Sequence, residues 1–335
     1  MGGGELTKWQ KGKGMAYEYW INSLLSSPTT HAVNALSNAI VAGWSVGERK
    51  VASMIGRGIG SNSIAEGEVV GQLFGIVQGA KDGWRLAWHA IKTGESSDAL
   101  TKVEQQQYKR ITAENLDLTG VPGRFADFVG EAVRVPGRLL TAGDELFKTI
   151  GYRMELNAQA YRTAAGEGLQ GNELAVRIQN IINNPPENIH LAAVDASRYQ
   201  TFTKELGERG QSVQNLLHRN PEARIIVPFL RTPTNIMKWV GERTPLAPVS
   251  QAVRTEIMAG GARRDMALAK IATGSMAMAV AADYAISGNI TGHGPRDYQS
   301  RSILMATGWQ PYSIKVGDEY LSYQRLDPVG AFIGF

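Results

Sequence analysis

Apolar residues recur at helical spacing along most of this chain, and prolines and glycines punctuate the segments between them. Ser27-Pro28 reads as a helix start with Pro in the first turn. Val33, Leu36, Ile40, Val51 and Met54 mark one face of a helix running to about Ile55, where Gly56-Arg-Gly-Ile-Gly60 breaks it. A second helix is expected over residues 66–91, ending near Gly94, and a shorter one from Asp98 to Thr112. Val121-Pro-Gly and Val135-Pro-Gly read as turns. A strong helix is expected from Arg138 to Ala165, with Leu139, Leu146, Ile150, Met154 and Tyr161 on one side. Its Asp144 and Lys148 form a modest i,i+4 pair. Helices over Asn172–Ile182 and Glu187–Leu206 follow. Pro221, Pro228, Pro233, Pro245 and Pro248 make residues 219–250 a wrapped segment of short helices and extended pieces. Helix resumes from Ser250 to Ser287. Near the end, Tyr312–Val316 and Glu319–Gln324 alternate in polarity around Gly317-Asp318, a two-residue hairpin link. That register pairs Ile314 with Leu321 and Tyr312 with Tyr323. The expected fold is mostly α: a multi-helix bundle packed through Gly/Ala ridges, with a small C-terminal β-hairpin. It divides into a flexible segment 1–16, a helical domain 17–288, and a loop plus hairpin over 289–335.

Within that helical pattern, Gly67, Gly71, Gly75, Gly79 and Gly83 stand at strict four-residue spacing. Residues i and i+4 lie one above the other on a helix, so these glycines form a bare ridge. Each helical Gly costs about 1 kcal/mol relative to Ala. Close approach of another helix offsets that cost in small-xxx-small packing, so Gly71, Gly75 and Gly79 are expected to touch a neighbouring helix. Ala35, Ala39, Gly43 and Gly47 form a second ridge. Ala269, Thr273, Ala277, Ala281 and Ala285 form a third, on a helix expected over 266–287 with Lys270 and Asp283 near its ends. Thr273, Ala277 and Ala281 are expected to face protein or membrane.

Composition narrows the picture. Apolar residues are 43% and charged residues 20% of the 335, enough for a core and not a disordered composition. Cysteine is absent, which excludes disulfides and thiolate metal sites. Net charge is +4, and Arg219–Asp265 alone holds eight Lys/Arg against four Asp/Glu. That basic stretch, Arg263 and Arg264 included, is a candidate for phosphate of lipid or nucleic acid, beside the plainer reading of a solvated surface. No run is long and apolar enough for an ordinary transmembrane helix. Residues 19–47 are nevertheless uncharged, residues 271–282 are semi-apolar, and Trp84 and Trp88 stand among Lys81, Arg85 and Lys92. Trp beside cations suits a membrane interface. Trp84, Arg85 and Trp88 are therefore candidates for membrane or phosphate contact, with ordinary core tryptophans as the competing reading.

Catalytic chemistry is not visible. His31, His89, His190, His218 and His293 include no i,i+4 pair, and no HExxH or phosphate-binding loop occurs. Asp144 and Glu145 are adjacent, hence about 100° apart on a helix, and do not converge. No catalytic, cofactor-binding or metal residue is assigned, and the expectation is a non-enzymatic chain without a cofactor.

Three stretches carry a resemblance. They are Pro228-Phe-Leu-Arg-Thr-Pro-Thr-Asn-Ile-Met-Lys-Trp, continuing through Glu242-Arg-Thr-Pro-Leu-Ala-Pro248; Gly288-Asn-Ile-Thr-Gly-His-Gly-Pro295 with Gly308-Trp-Gln-Pro-Tyr-Ser-Ile and the hairpin; and Leu139–Lys148 with Tyr152-Arg-Met-Glu-Leu156. Together they resemble the helical domain of very large bacteriophage and prophage polyvalent proteins, some similar to internal virion or DNA-ejection proteins. The resemblance runs from about Tyr17 to the end and implies location in the virion, or in the host envelope during infection. It brings no catalytic residue with it. The apolar ending Ala331-Phe-Ile-Gly-Phe335 reads as a cut in a longer chain. The expected function is a structural or assembly module acting on copies of itself or other virion proteins. Two alternatives stand beside it: a membrane-active module of a DNA-ejection channel, and a docking domain of a giant multi-enzyme protein. Nucleic acid is a further candidate partner.

Overall fold

The computed structural model describes residues 7–97, 110–219 and 229–334. Among them are twelve α-helices and one two-stranded antiparallel hairpin. Helices α1 (Lys8–Leu24), α2 (Pro28–Gly58), α3 (Gly67–Thr93) and α4 (Gly120–Gly166) come first. Then follow α5 (Gly171–Asn183), α6 (Glu187–Gln200), α7 (Glu208–Arg219), α8 (Arg231–Gly241), α9 (Gln251–Ala259) and α10 (Gly261–Ile286). Helix α11 (Tyr298–Ala306), strands β1 (Ser313–Val316) and β2 (Glu319–Ser322), and α12 (Val329–Ile333) complete the order.

Helix α1 begins inside the segment expected to be flexible. The Thr7 hydroxyl accepts from the Gln10 amide while the Gln10 side chain accepts from the Thr7 amide, a reciprocal capping box. Farther along α1, the buried Glu18 carboxylate accepts the Arg110 and Ile111 amides at 2.9 and 2.8 Å and meets Arg134 of α4 at 2.7 Å. These bonds tie α1 to α4.

The axis of the molecule is α4, 47 residues and about 70 Å long. Two turns were expected within it, and neither exists. Pro122 lies in the first helical turn, where its missing amide has no partner to lose. Gly123 is there for close approach: a Cβ would lie 2.8 Å from the Leu118 carbonyl oxygen. Pro136 sits inside the helix and forfeits a hydrogen bond. The helix continues because tertiary packing holds both flanks, through Arg134 to α1 and through Ala142 to Ala87 and Ala90 of α3. Asp144 and Lys148 do pair, at 3.0 Å, but as a buried pair and not on the surface.

Other boundaries differ for local reasons. Helix α6 stops at Gln200, short of Leu206, and Phe202 then takes φ 59° to enter the core. The helix expected over Ser250–Ser287 is two, broken where Gly260 takes φ 70° and Gly261 φ 55°. The helix expected over Asp98–Thr112 lies almost wholly outside the described residues, as does the start of the Pro-rich segment at 220–228. The hairpin pairs Ile314 with Leu321, and the Tyr323 amide bonds the Tyr312 carbonyl at 2.9 Å. Tyr323 also donates its hydroxyl to the Thr291 carbonyl at 2.8 Å, anchoring the hairpin to the loop before α11.

The core is a set of small apolar clusters. Leu156, Ala160, Ile181, Ile182, Ile189 and Ala193 join α4, α5 and α6. Val41, Phe202, Trp239, Val240 and Phe332 join α2, α8 and α12. Ala42, Ile150 and Met154 lie between α2 and α4, and Ala52, Ile64 and Ala269 between α2 and α10. What lies between these clusters is polar.

Candidate functional site: a glycine seam, a bare helix face and an ion-paired cleft

Helix α3 runs antiparallel along α4, with Gly71 beside Asn157 and Gly83 beside Leu146. Every ridge glycine meets α4. A Cβ at Gly67 would lie 2.0 Å from the Tyr161 ring, at Gly71 3.0 Å from the Asn157 carbonyl oxygen, and at Gly75 2.5 Å from that of Arg153. At Gly79 it would lie 2.5 Å from the Ile150 Cα and at Gly83 2.9 Å from the Leu146 carbonyl oxygen. At four of these five positions the obstacle is backbone, which cannot rotate out of the way.

The seam inverts the usual amphipathic arrangement. Because α3 buries its small side, its large apolar side chains point outward. Val70, Leu73, Phe74, Val77, Trp84 and Trp88 are all exposed, Val77 by 70% and Trp84 by 67%. Lys81, Arg85, His89 and Lys92 are exposed among them. Lys92 lies over the Trp88 ring, 5.4 Å from its centroid. The acids of α3 turn elsewhere: Glu68 is buried, and Asp82 is held by Arg153 of α4 at 2.7 Å.

The other two ridges behave differently. Ala35, Ala39, Gly43 and Gly47 of α2 are exposed, and nothing lies within 4 Å of where a Cβ would stand at Gly43 or Gly47. Among the described residues of the chain this ridge packs against nothing. On α10, Ala269 is fully buried and Ala277 packs partly against the Val41–Trp239 cluster. Ala281 is half-buried and Ala285 exposed. The close approach on α10 falls one residue from the predicted line, at Gly274, where a Cβ would lie 2.0 Å from the Arg243 carbonyl oxygen. Along the last turns Met276, Val280, Tyr284 and Ile286 stand bare.

Between α2, α4, α6, α8 and α10 lies a cleft of ≈ 990 Å³. Its walls hold charges that the helical patterning did not single out. The Arg243 guanidinium faces Glu48 with Nε 2.7 Å from Oε1 and Nη2 2.9 Å from Oε2, and stacks on Trp239 at 3.5 Å. Trp44 Nε1 donates to Glu48 at 2.8 Å. Arg49 reaches both Glu68, at 2.7 Å, and Glu155. Arg162 forks onto Glu68 at 2.8 and 2.6 Å. Lys270 Nζ bonds Glu242 at 2.8 Å and the Tyr199 hydroxyl at 3.1 Å, and Arg243 donates to the same hydroxyl at 3.0 Å. Tyr199 in turn donates to Glu242.

Burial opposes ionisation of the Glu242 and Glu155 carboxyls, but Lys270 beside the first and Arg49 beside the second hold both below the usual carboxylate range. Burial pushes the Tyr199 hydroxyl up, so it stays a neutral donor. For Lys270 burial is again opposed, by Tyr199 and Glu242, and its ammonium is held above the ordinary lysine range. Glu48, Glu68, Glu155 and Glu242 thus face Arg49, Arg162, Arg243 and Lys270, charge for charge. The arrangement ties the surrounding helices together by pairing these eight charges with one another.

Most of the described cations of the basic stretch 219–265 are similarly engaged, and Lys238 is exposed. Arg231 and Arg243 are buried. Arg254 donates to the Pro248 and Val249 carbonyls, Arg263 meets Glu256 at 3.4 Å, and Arg264 meets Asp265 at 3.1 Å. Among the described residues no group of three or more His, Cys, Asp or Glu is placed to hold a metal ion, and no helix is long and apolar enough to cross a membrane. A sequence signal for the cleft did exist. Glu48 and Arg49 lie seven and eight residues after the buried Val41, on the inward face of α2, where a charge must be paired. Comparison of the chain with protein-family models, with curated proteins and with solved structures gave no match in any of the three.

Proposed function

We propose that this chain is a non-enzymatic assembly module of a phage internal virion or DNA-ejection protein. It works by packing: a rigid helical frame presents apolar faces to further copies of itself or to other virion proteins. The phage context rests on the resemblance of the segments around Leu139, Pro228 and Gly288. The observation that carries the assembly reading is the end of α10. Met276, Val280 and Tyr284 lie on one line beside the small residues Ala277, Ala281 and Ala285, and Ile286 is 88% exposed. A contiguous bare apolar line on a firmly anchored helix is what a protein interface looks like before its partner arrives. Sedimentation velocity over a concentration series tests the reading. Self-association of the wild type, lost in Val280→Glu with Ile286→Glu, supports it. A wild type that stays monomeric and captures no virion protein sinks it.

A second reading, a membrane-active module, is favoured by a different observation: Trp84 and Trp88 stand exposed among Lys81, Arg85 and Lys92 on α3. Tryptophan and cations share the membrane interface.

A further inference from the structure

The outer line of α3 reads Val70, Phe74, Val77, Lys81, Trp84, Trp88, in alternating steps of four and three residues. That spacing keeps one continuous stripe in view along the helix. The stripe is exposed throughout, because the opposite side of α3 is locked onto α4 through the glycines. Lys81 interrupts the apolar line, and Arg85 and Lys92 flank it. No acid of α3 faces outward with them. Glu68 is buried between Arg49 and Arg162, Asp82 is held by Arg153, and Glu66 at the helix start is held by Lys50 and Arg57. Glu95, just past the helix end, is exposed.

We propose that α3 is an interfacial anchor, which lies flat on an anionic lipid bilayer with Phe74, Val77, Trp84 and Trp88 in the headgroup–acyl boundary and Lys81, Arg85 and Lys92 on lipid phosphates. This deepens the membrane reading above and is independent of the assembly reading, which uses α10. Charge decides between lipid and the other occupant a heptad stripe could take. A second α3 packed on this stripe antiparallel would set Lys81 opposite Val77 at the centre, with no carboxylate from either copy to meet it. A bilayer lets the Lys81 ammonium rise to the phosphates while its stem stays along the apolar stripe. The tryptophans take the position they prefer at such a boundary. The contact is in-plane. The seam holds α3 against α4 backbone to backbone, so α3 cannot swing out to insert end-on, and it lacks the apolar length to span.

The test is flotation of the full chain with phosphatidylcholine vesicles and with equimolar phosphatidylcholine–phosphatidylglycerol vesicles, at low and high salt. The wild type is expected to float with the anionic vesicles, with apparent affinity falling at least about tenfold at high salt. Lys81→Glu with Arg85→Glu should weaken anionic binding by about tenfold or more, and Phe74→Ser with Val77→Ser should abolish it. All four side chains are exposed, so circular dichroism and Tm should match the wild type. Val280→Glu with Ile286→Glu should float unchanged, which separates this proposal from the assembly reading. No flotation of the wild type overturns the proposal. So does flotation that ignores the charge reversal, or concentration-dependent dimerisation that Phe74→Ser with Val77→Ser relieves.

Discussion

The α3–α4 seam and the ion-paired cleft join helices by opposite means. In the seam, backbone meets backbone, and the contact is made of absences: no side chain on one side at Gly71, Gly75, Gly79 and Gly83. In the cleft, long charged side chains bridge the helices, Arg243 to Glu48 and Arg49 to Glu68 and Glu155. The glycine line itself carries no charge; the ion pairs between α3 and α4, Glu68 with Arg162 and Asp82 with Arg153, stand beside it. The cleft has charge and open space of ≈ 990 Å³. The glycine line is therefore sensitive first to volume, and the cleft first to charge.

The largest effect is expected in the cleft. Removing one member of a buried ion pair leaves its partner charged and unsolvated, which costs about 3–5 kcal/mol. Arg243→Ala leaves Glu48 in that condition, since Arg243 is the guanidinium it faces and both are almost fully buried. Urea denaturation should show a loss in that range. A loss under about 1 kcal/mol, the usual ceiling for exposed pairs, would mean that the cleft pairs are ornamental. Next comes the seam. Gly75→Leu places a branched side chain where even a Cβ would sit 2.5 Å from the Arg153 carbonyl oxygen. Overpacking of this kind costs about 3 kcal/mol when the obstacle cannot move. If the variant keeps wild-type Tm, the close approach is not holding the helices together.

Acid should separate the two contacts. Glu242 and Glu155 have folded-state carboxyls below the usual 4.5, so each contributes stability that is complete above about that pH and is lost as pH falls through the folded value. Thermal melts from pH 6 downward should therefore show Tm falling once the pH passes below that point. The combined variant Glu242→Gln with Lys270→Met removes one such carboxyl together with its cation and should flatten part of the slope. Gly75→Ala should lower Tm at every pH, because its collision is with the Arg153 backbone and not with a titrating group. A slope that survives the double variant unchanged would place the acid-sensitive groups outside the cleft.

The seam was legible in the sequence as a whole and the cleft only at Glu48 and Arg49, for a physical reason. Five glycines in register inside a helical pattern carry a cost that only close approach offsets, so the pattern names its own partner surface. The exposed ridge of α2 marks the limit of that argument. Ala is a good helix former wherever it stands, so Ala35 and Ala39 carry no such cost, and two glycines are too few to require a neighbour. On α10 the line from Ala269 to Ala277 does meet protein, but the tightest contact falls beside it at Gly274, and a single glycine has no period to announce it. Glu155 and Arg243 read as surface from their type, and only tertiary contacts 106 and 195 residues away in sequence reveal their pairing. The helix through Pro136 has the same source, since long-range packing overrides a local signal there, whereas Pro122 is allowed locally by its place in the first turn.

The smallest predicted effect is the sharpest test of what a ridge is for. Gly43 and Gly47 look in sequence like Gly75 and Gly79: small residues on one line of a long helix. They differ only in that nothing stands within 4 Å of their missing Cβ atoms. Gly43→Ala and Gly47→Ala should each stabilise the protein by about 1 kcal/mol, the full helix-propensity gain, because no neighbour opposes the added methyl. The same change at Gly75 or Gly79 gains the same propensity and loses more than that to the collision with Arg153 or Ile150, so its sign reverses. Measuring the four alanine variants side by side by urea denaturation makes the contrast independent of absolute stability. Should Gly43→Ala and Gly47→Ala destabilise the chain instead, the outer ridge of α2 is covered in solution. The second copy would then lie on α2, and the self-association assigned to the end of α10 would have to be remapped by repeating sedimentation velocity on those same two variants.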